Sequence, residues 1–390
     1  MGRFENREES LRYANEVREF TLAELEPMAR QIDKARRLPA TEVANKLKEK
    51  GLWNLTMPKK YGGQEFSFCE YWPLLATVSM TGRSIGILVH LQNTGGWRRV
   101  AYHGTEEQKE KYVRACAEGK FVRGRILAVG FAITEREAGT GKDIKTTATK
   151  RGNTWVLNGE KILITAPNLV GTYIVVARSS SDRDEFSTFL VPIDTPGFSW
   201  TSMGESMGLK GHLHGKLKFE DCVIPEENML GRPGAGLDAG IHQLVLGRVG
   251  IAAACLGICR RCLELSVDFS KKRVTFGKAI AERQAVQGML ADMALAAYAL
   301  ERMVEDAAQK FDADMPITRE ASSCKLFGIE AVQKVTDNAL LIHGGRGYFD
   351  EFPIERLYRD ARAMWFEEGT PTIQRFVIAR DVLQKPRWWV

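Results

Sequence analysis

Residues Tyr358 to Arg375 read YRDARAMWFEEGTPTIQR, and the rest of the sequence is organised around this stretch. A charged, helix-like segment leads into the aromatic pair Trp365 and Phe366, then into an acidic turn and a second helix. Thr370 suits the N-cap of that second helix, and Pro371 suits its first position, where the missing N–H is not needed. The stretch therefore predicts a helix–turn–helix unit with two carboxylates in its turn.

Glu367, Glu368 and Gly369 form this turn, next to two bulky rings. A carboxylate beside apolar rings can have its pKa raised toward neutrality, which suits a general base. The alternative is a solvated acidic turn that only favours the dipole of the helix that follows. These residues alone favour the second interpretation.

The composition is that of a soluble globular protein. With 390 residues, 44% hydrophobic and 27% charged, the chain predicts two or three domains. Its net charge of +6 is spread along the chain without a basic stripe, so it suits an anionic small ligand better than a nucleic acid. No segment resembles a signal peptide or a membrane span, and seven cysteines without a framework spacing indicate reduced thiols. We therefore expect a cytoplasmic protein that binds neither membrane nor nucleic acid.

The order of local patterns predicts helix, then strand, then helix. Residues 1–125 carry apolar residues at helical spacing, and Thr105 followed by Gln108 matches a capping box. Residues 126–230 hold short β-branched segments, with hairpin-type turns predicted at residues 151–153 and 158–159. Residues 231–390 return to helical spacing. We expect an α+β protein with an N-terminal helical domain, a middle antiparallel, barrel-like β domain and a C-terminal helical domain.

Three cysteines imitate an iron–sulfur motif. Cys255, Cys259 and Cys262 have the spacing C-x3-C-x2-C, but they lie in a continuous helical pattern, where these positions share one face. Burial of small thiols on a packed helix is therefore favoured over a cluster. His212 and His214 have no further ligands nearby, so they favour a turn or strand edge and no metal site is predicted.

Four further stretches could hold a cofactor, although each is a weak signal alone. FAITEREAGTGKD leads from a strand into a glycine-rich loop, and KILIT ends a second strand. RVTFGK is a basic turn suited to a pyrophosphate, and HGGRGY is a glycine-rich break between helices.

The order and wording of these stretches resemble the acyl-CoA dehydrogenase family, a group of FAD-dependent flavoenzymes. The resemblance runs from Glu5 to Gln384 and also includes VLNGEKILIT, FEDCVIPEENMLG and RVTFGKAIAERQAVQGMLADM. The family fold is an N-terminal helical domain, a middle β domain and a C-terminal four-helix domain. This agrees with the architecture expected from the local patterns.

The resemblance implies a mechanism. Glu368, immediately before Gly-Thr, falls on the family's catalytic base. It would take the α-proton of an acyl-CoA thioester while the β-carbon passes a hydride to flavin N5. The backbone N–H of Glu368 and a ribityl hydroxyl would polarise the thioester carbonyl. Such enzymes act in fatty acid metabolism, are usually homotetramers and pass electrons to an electron-transferring flavoprotein.

The resemblance also implies the binding residues. Along the flavin it places Phe131, Ile133, Thr134, Gly139, Thr140, Leu163 and Thr165. At the dinucleotide and the closing helix it places Arg273, Thr275, Phe276, Gln284, Leu341, Gly344, Gly345, Thr370 and Thr372, partly across a subunit interface. At the substrate it places Thr140, Arg248 and Gly369.

Several positions depart from the family pattern. Lys142 belongs to a lengthened loop, Arg136 replaces a proline, and Leu163 stands where a tryptophan commonly shields the flavin. Leu341 replaces a frequent glutamine and Val245 an acidic residue. These departures keep open a carrier-protein-bound acyl thioester as substrate, and a same-fold oxidase or monooxygenase. A non-catalytic scaffold is the alternative from a different class, but it would need neither Glu368 nor the glycine-rich breaks.

The acyl pocket is expected near Gly95 and Gly96, which interrupt a helix. Trp97 either shortens this pocket or packs in the core. Arg98 and Arg99 could meet a carboxylated acyl chain, but adjacent helical residues do not face the same way. The sequence therefore favours solvated charge for this pair.

Overall fold

The computed structural model describes residues 7–120, 123–139, 141, 143–180, 185–237 and 244–384. Within these ranges helices are followed by a sheet and then by further helices, as the local patterns predict. The fold is α+β, with a helical N-terminal part, a middle sheet and a helical C-terminal part.

The N-terminal part consists of helices that bury their apolar faces against one another. Capping boxes fix two helix starts, Ser67 with Glu70 and, as predicted, Thr105 with Gln108. The π-helical turn Thr21–Leu25 joins the first two helices. The helices are α1 (Arg7–Phe20), α2 (Glu26–Ala35), α3 (Ala40–Glu49), α4 (Phe68–Val78), α5 (Arg83–Thr94), α6 (Gly96–His103), α7 (Glu106–Gln108) and α8 (Arg114–Ala117).

The middle part is a twisted sheet in the order β6-β7-β3-β2-β4-β5-β8, with β1 paired to β4. The strands are β1 (Leu127–Ala132), β2 (Thr147–Arg151), β3 (Thr154–Thr165), β4 (Val170–Arg178), β5 (Phe186–Pro192), β6 (Phe198–Ser202), β7 (His214–Pro225) and β8 (Met229–Leu230). Most neighbours are antiparallel, but β1 runs parallel to β4, so the sheet is mixed rather than purely antiparallel. Strand β1 follows the N-terminal helices and pairs with β4, which lies far from it in the sequence. No hairpin joins these two strands, so nothing requires them to run antiparallel.

Of the two predicted hairpin turns, one is confirmed and one is wrong. Residues 151–153 turn between β2 and β3 as expected. Gly159 instead lies inside β3, where the pairing with β7 shifts register between Leu157 and Gly159. A Cβ at Gly159 would lie 2.6 Å from the hydroxyl oxygen of Thr146. The glycine is therefore explained by a bulge and a close approach, not by a turn.

The C-terminal part is a bundle of long helices with a small hairpin. Its elements are α9 (Leu244–Lys272), β9 (Val274–Thr275), β10 (Lys278–Ala279), α10 (Gln284–Asp312), α11 (Thr318–His343), α12 (Ile354–Ala363) and α13 (Pro371–Gln384). Helix α9 packs against α4, α5, α10 and α11, so it is the central element of the molecule. Cys255, Cys259 and Cys262 lie on α9 with no exposed surface, in the helical and buried setting that their spacing predicts.

Across the described ranges, no helix combines the length and the apolarity needed to cross a membrane.

Candidate active site

The acidic turn lies between α12 and α13, as predicted, and its backbone is unusual. Glu368 has φ of 52° and Gly369 has φ of 96°, so both lie in the left-handed region. Glycine adopts this region freely, whereas glutamate does so at a cost of roughly 1–2 kcal/mol. The surrounding contacts must therefore hold Glu368 in this conformation.

The Glu368 carboxyl lies against the backbone of α9. Its Oε2 atom is buried without a hydrogen-bond partner. Burial raises the pKa of Glu368, while the charges of Arg99 and Arg248 oppose this increase. A half-buried carboxylate with an unpartnered oxygen and a raised pKa fits a general base, so the solvated-turn alternative does not describe this residue.

Glu367 has a different environment. Its carboxylate forms an ion pair with Arg83 of α5, with an Nη2–Oε2 distance of 2.5 Å. The Arg83 side chain is only 2% exposed, and its backbone N–H donates to Asp360. Glu367 is thus occupied in a buried structural contact, and of the two carboxylates only that of Glu368 has an unpartnered oxygen.

Side chains of α9 and α13 donate hydrogen bonds to the backbone of the acidic turn. Arg248 Nε of α9 donates to the Glu368 carbonyl at 3.3 Å, and its Nη1 donates to Ser322 at 3.1 Å. Gln374 Nε2 of α13 donates to the Glu368 carbonyl at 3.0 Å and to the Gly369 carbonyl at 3.1 Å. The structure therefore brings together Glu368, Gly369 and Arg248.

The end of β1 and the end of β3 lie side by side. The Ile162 N–H donates to the Thr134 carbonyl at 2.8 Å, and Lys161 Nζ donates to the Ile133 carbonyl at 3.1 Å. Phe131 is half-buried, whereas the Ile133 side chain is buried in a small apolar cluster. The two predicted flavin strands are thus adjacent, with Ile133 able to contribute mainly through its backbone.

A buried ion pair joins β3 to the segment that follows β1, and sequence reasoning missed it. Lys161 Nζ lies 2.8 Å from Glu135 Oε1, and Glu135 also accepts hydrogen bonds from Lys145 and Thr146. Burial lowers the pKa of Lys161 to about 8, while Glu135 opposes the decrease. The sequence could have indicated this pair, because Lys161 occupies an inward-facing strand position, where a lysine requires an acidic partner.

Arg98 and Arg99 are both buried, at 8% and 4% exposure, so the prediction of solvated charge is wrong. Arg98 packs on the ring of Trp97, and the Arg99 guanidinium lies 3.8 Å from the ring centre of Phe131. Other elements pack against more than one face of helix α6, so two adjacent residues that point in different directions are both buried. Arg99 links the strand side of the site to Glu368, whose pKa it lowers more than any other charge does.

Trp97 packs in the core. It is 3% exposed, belongs to an apolar cluster with Tyr112 and Val129, and donates from Nε1 to the Gln92 carbonyl at 3.0 Å. These contacts favour the core-packing alternative over the pocket-shortening one.

The remaining flavin positions lie near or at the surface. Leu163 has φ of 58° and a side chain that is 55% exposed, while Thr165 ends β3 opposite His214. Gly139 is exposed. Thr140 lies outside the described residues.

The predicted dinucleotide positions form an outer set that is exposed except for the half-buried Thr275. Arg273 precedes the β9–β10 hairpin, Gln284 begins α10, and Thr275 accepts a hydrogen bond from Arg283 at 2.7 Å. Phe276 is 97% exposed and Leu341 is 68% exposed. The other exposed members are Gly344, Gly345, Thr370 and Thr372.

These surfaces fit a flavin dinucleotide. A Cβ at Gly139, Gly344 or Gly345 would meet no atom within 4 Å, which leaves open backbone for close approach. Leu163 and Phe276 each expose apolar surface of the kind that marks a ligand or subunit contact.

Comparison with known proteins identifies the family. The chain matches "Acyl-CoA dehydrogenase, N-terminal domain" over residues 7–120, "middle domain" over residues 130–222 and "C-terminal domain" over residues 234–383. It is 37% identical to acryloyl-CoA reductase (NADH) of Anaerotignum propionicum over 379 residues, 95% of this chain and 93% of the relative. A chain in a solved structure of the electron transferring flavoprotein of Acidaminococcus fermentans is 32% identical, with a TM-score of 0.91 and coverage of 99% and 100%. The prolyl acyl carrier protein oxidase AnaB is 29% identical, with a TM-score of 0.90 and coverage of 97% and 99%. With matches across all three of its domains, the chain belongs to the acyl-CoA dehydrogenase family.

Proposed function

We propose that this enzyme dehydrogenates the α,β bond of an acyl-CoA thioester, with Glu368 as the base that takes the α-proton. The observation that carries the proposal is the Glu368 carboxyl itself, which is half-buried, lies against α9 and has one oxygen without a partner. Its raised pKa favours proton uptake at neutral pH, and the Arg99 and Arg248 charges keep the ionised form accessible. The ion pair of Glu367 with Arg83 makes Glu367 the weaker candidate for the base.

Enzymes of this family are FAD-dependent. Bound FAD supplies the acceptor for the hydrogen and electron pair that leave the β-carbon. Phe131, Thr134, Leu163 and Thr165 would lie along the flavin ring, with Thr140 and Gly139 in the adjoining loop. The exposed outer set, from Arg273 to Gln284 and at residues 341–345, would hold the dinucleotide together with Thr370 and Thr372.

The protein's own groups then orient the thioester. The backbone N–H of Glu368 would donate to the thioester carbonyl, where negative charge develops as the α-proton leaves. Arg248 holds the carbonyl of the same residue, so it would fix this N–H as well as the carboxyl. Gly369 would leave room for the acyl chain beside the turn.

A homotetramer is the assembly we propose. Large apolar side chains are exposed on α10, α11 and the segment after α11, among them Leu295, Leu341, Tyr348 and Phe349. Burial of these side chains in a subunit contact would complete the dinucleotide site. Electrons would pass to an electron-transferring flavoprotein, an acceptor supported by the similarity to a chain in the structure of such a protein.

A second candidate is an oxygen-using enzyme acting on a carrier-protein-bound thioester. The exposed Leu163 favours it, because a small side chain there would leave the flavin edge open to oxygen. The similarity to the prolyl acyl carrier protein oxidase adds support.

The test is an anaerobic titration of the FAD-loaded protein with a panel of acyl-CoA thioesters, followed at the oxidised flavin band. We expect one or more thioesters to bleach the band in the wild-type protein but not in Glu368→Gln. Glu367→Gln serves as the neighbouring control and is expected to retain bleaching at lower stability. Bleaching by the Glu368→Gln variant at the wild-type rate would overturn the assignment of the base. A protein that no thioester bleaches but that consumes oxygen with a carrier-bound substrate would favour the second candidate.

A further inference from the structure

A buried lysine that the mechanism above does not use faces the acidic turn. Lys325 lies on α11 and has no exposed surface. Its Nζ donates to the Gly369 carbonyl at 2.7 Å and to the Trp365 carbonyl at 3.2 Å. The ammonium therefore bridges the beginning and the end of the turn that contains Glu368.

The surroundings of this ammonium are unusual for a buried charge. Within the described ranges, the hydrogen-bond partners of Nζ are carbonyl oxygens, and no carboxylate lies within ion-pair distance. Burial lowers the pKa of Lys325 to about 8, an effect that Cys255, Glu367 and Glu368 oppose and Arg248 reinforces. Buried charges are normally paired, so a lysine held only by carbonyls requires a reason.

The geometry of the turn supplies that reason. Glu368 and Gly369 both have left-handed backbone conformations, and a turn of this kind leaves carbonyls that point away from any helix or strand. Lys325, Gln374 and Arg248 approach these carbonyls from three different helices. Lys325 is the member that contacts both ends of the turn.

We propose that Lys325 is a positioning residue, whose ammonium fixes the Trp365–Gly369 turn so that the Glu368 carboxyl is aimed at the α-carbon of the substrate. The inference rests on the proposed function of Glu368. It assigns no proton transfer to Lys325 and no contact with substrate. It also explains why the chain keeps a charged group where an apolar side chain would pack at lower cost.

The test measures proton abstraction separately from the later steps. Butyryl-CoA is incubated anaerobically in D₂O with the FAD-loaded enzyme, and incorporation of deuterium at the α-carbon is followed by mass spectrometry. The same preparations give kcat, KM and bound FAD per subunit. The variants are Lys325→Met, which removes donor and charge, and Lys325→Gln, which keeps an uncharged N–H donor. Lys334→Met is the matched control, because Lys334 lies on the same helix with an exposed ion pair to Asp292.

We expect Lys325→Met to lower both the exchange rate and kcat about 100-fold, the scale expected for a misplacement of about 1 Å. KM and FAD content should change less than about threefold, since neither depends on the aim of the carboxyl. Lys325→Gln should recover part of the loss, and Lys334→Met should match the wild type. Wild-type exchange in Lys325→Met, with Glu368→Gln inactive, would overturn the role of Lys325 and leave the proposed function standing. Exchange that persists in Glu368→Gln would instead overturn the proposed function.

If Lys325→Met does not retain FAD, the comparison rests on Lys325→Gln. The proposal then predicts an exchange rate about tenfold below the wild type with full FAD content. An unchanged exchange rate in this variant would overturn it.

Discussion

A Cβ atom built on Gly247 would lie 2.9 Å from the carboxyl carbon of Glu368 and 3.1 Å from its Oε1. Gly247 is buried in α9, immediately before Arg248. Glycine in a helix interior costs roughly 0.5–1 kcal/mol relative to alanine, so its presence here needs a compensating contact. The close approach of the carboxyl to the helix backbone is that contact.

Gly247→Ala is therefore expected to displace the Glu368 carboxyl and lower kcat at least about tenfold, with FAD content unchanged. Real Cβ contacts do not reach 2.9 Å, so the carboxyl must move by some tenths of an ångström or more. Gly288→Ala is the control, since a Cβ there meets no atom within 4 Å and should stabilise α10 slightly. Equal kcat values for the two variants, measured on preparations of the same oligomeric size, would contradict the prediction.

The sequence alone predicted those features of the fold that depend on residues close together in the chain. Helix starts at Thr105 and Pro371, the β-branched strands and the helical cysteines of α9 follow from caps, periodicity and spacing, which neighbouring residues set. The family resemblance selected Glu368 over Glu367. The sequence of the turn does not distinguish the two glutamates. They differ because Glu367 pairs with Arg83, which lies 284 residues earlier in the chain.

The features that the sequence did not predict depend on contacts between distant elements. The burial of Arg98 and Arg99 follows from how α6 packs against the sheet, which helical periodicity cannot specify. The same holds for Glu135 with Lys161 and for Gly247 beneath Glu368. In each case the residue type is energetically unfavourable in its own helix or strand. Such a residue indicates that another part of the chain contacts it, but the sequence does not identify which part.

The ion pair between Arg83 and Glu367 is expected to be important for stability. Arg83→Met leaves the Glu367 carboxylate in a largely buried position without its partner, which should cost about 3–5 kcal/mol. Urea unfolding at pH 7, at fixed protein concentration and saturating FAD, measures the change. The double variant Arg83→Met/Glu367→Leu should recover part of the loss, because no unpaired charge remains.

The control for this pair is Arg114→Met. Arg114 pairs with Glu110 on the surface, where both side chains are more than a third exposed, so its loss should change stability far less than the loss of Arg83 does. A similar loss of stability for Arg83→Met and Arg114→Met would show that burial does not strengthen the first pair.

His212 should make stability depend on pH in the acidic range. Burial lowers its pKa to about 4, and its Nε2 contacts the Ser84 carbonyl at 2.5 Å. The unfolded chain binds a proton at His212 near pH 6.5 and the folded chain does not, so the free energy of unfolding falls as pH decreases from 6.5 to 4. The contribution of this residue over that window is about 3 kcal/mol at most.

The variant His212→Gln removes the titrating group and keeps an N–H donor. Its unfolding free energy, measured by urea at several pH values, should fall less steeply below pH 6.5 than that of the wild type. Above about pH 8 both proteins should have the same slope, because His212 is then neutral in the folded and the unfolded chain. Parallel curves across the whole range would mean that His212 is accessible to protons in the folded protein.

Arg99 should set the acidic limit of activity. As the proposed base, Glu368 would have to be deprotonated to accept the α-proton, and among nearby charges Arg99 acts most strongly to lower its pKa. Arg99→Met removes the charge that most counteracts the effect of burial on the pKa of Glu368. The pKa of Glu368 should therefore rise, and the acidic limb of the kcat profile should move to higher pH. The variant should lose more activity at pH 6 than at pH 8.

Arg98→Met is the matched control, since Arg98 is also buried and on the same helix but lies over Trp97. It should leave the acidic limb in place. A limb that moves equally in both variants would indicate a general loss of buried positive charge, and one that moves in neither would separate Arg99 from the ionisation of Glu368.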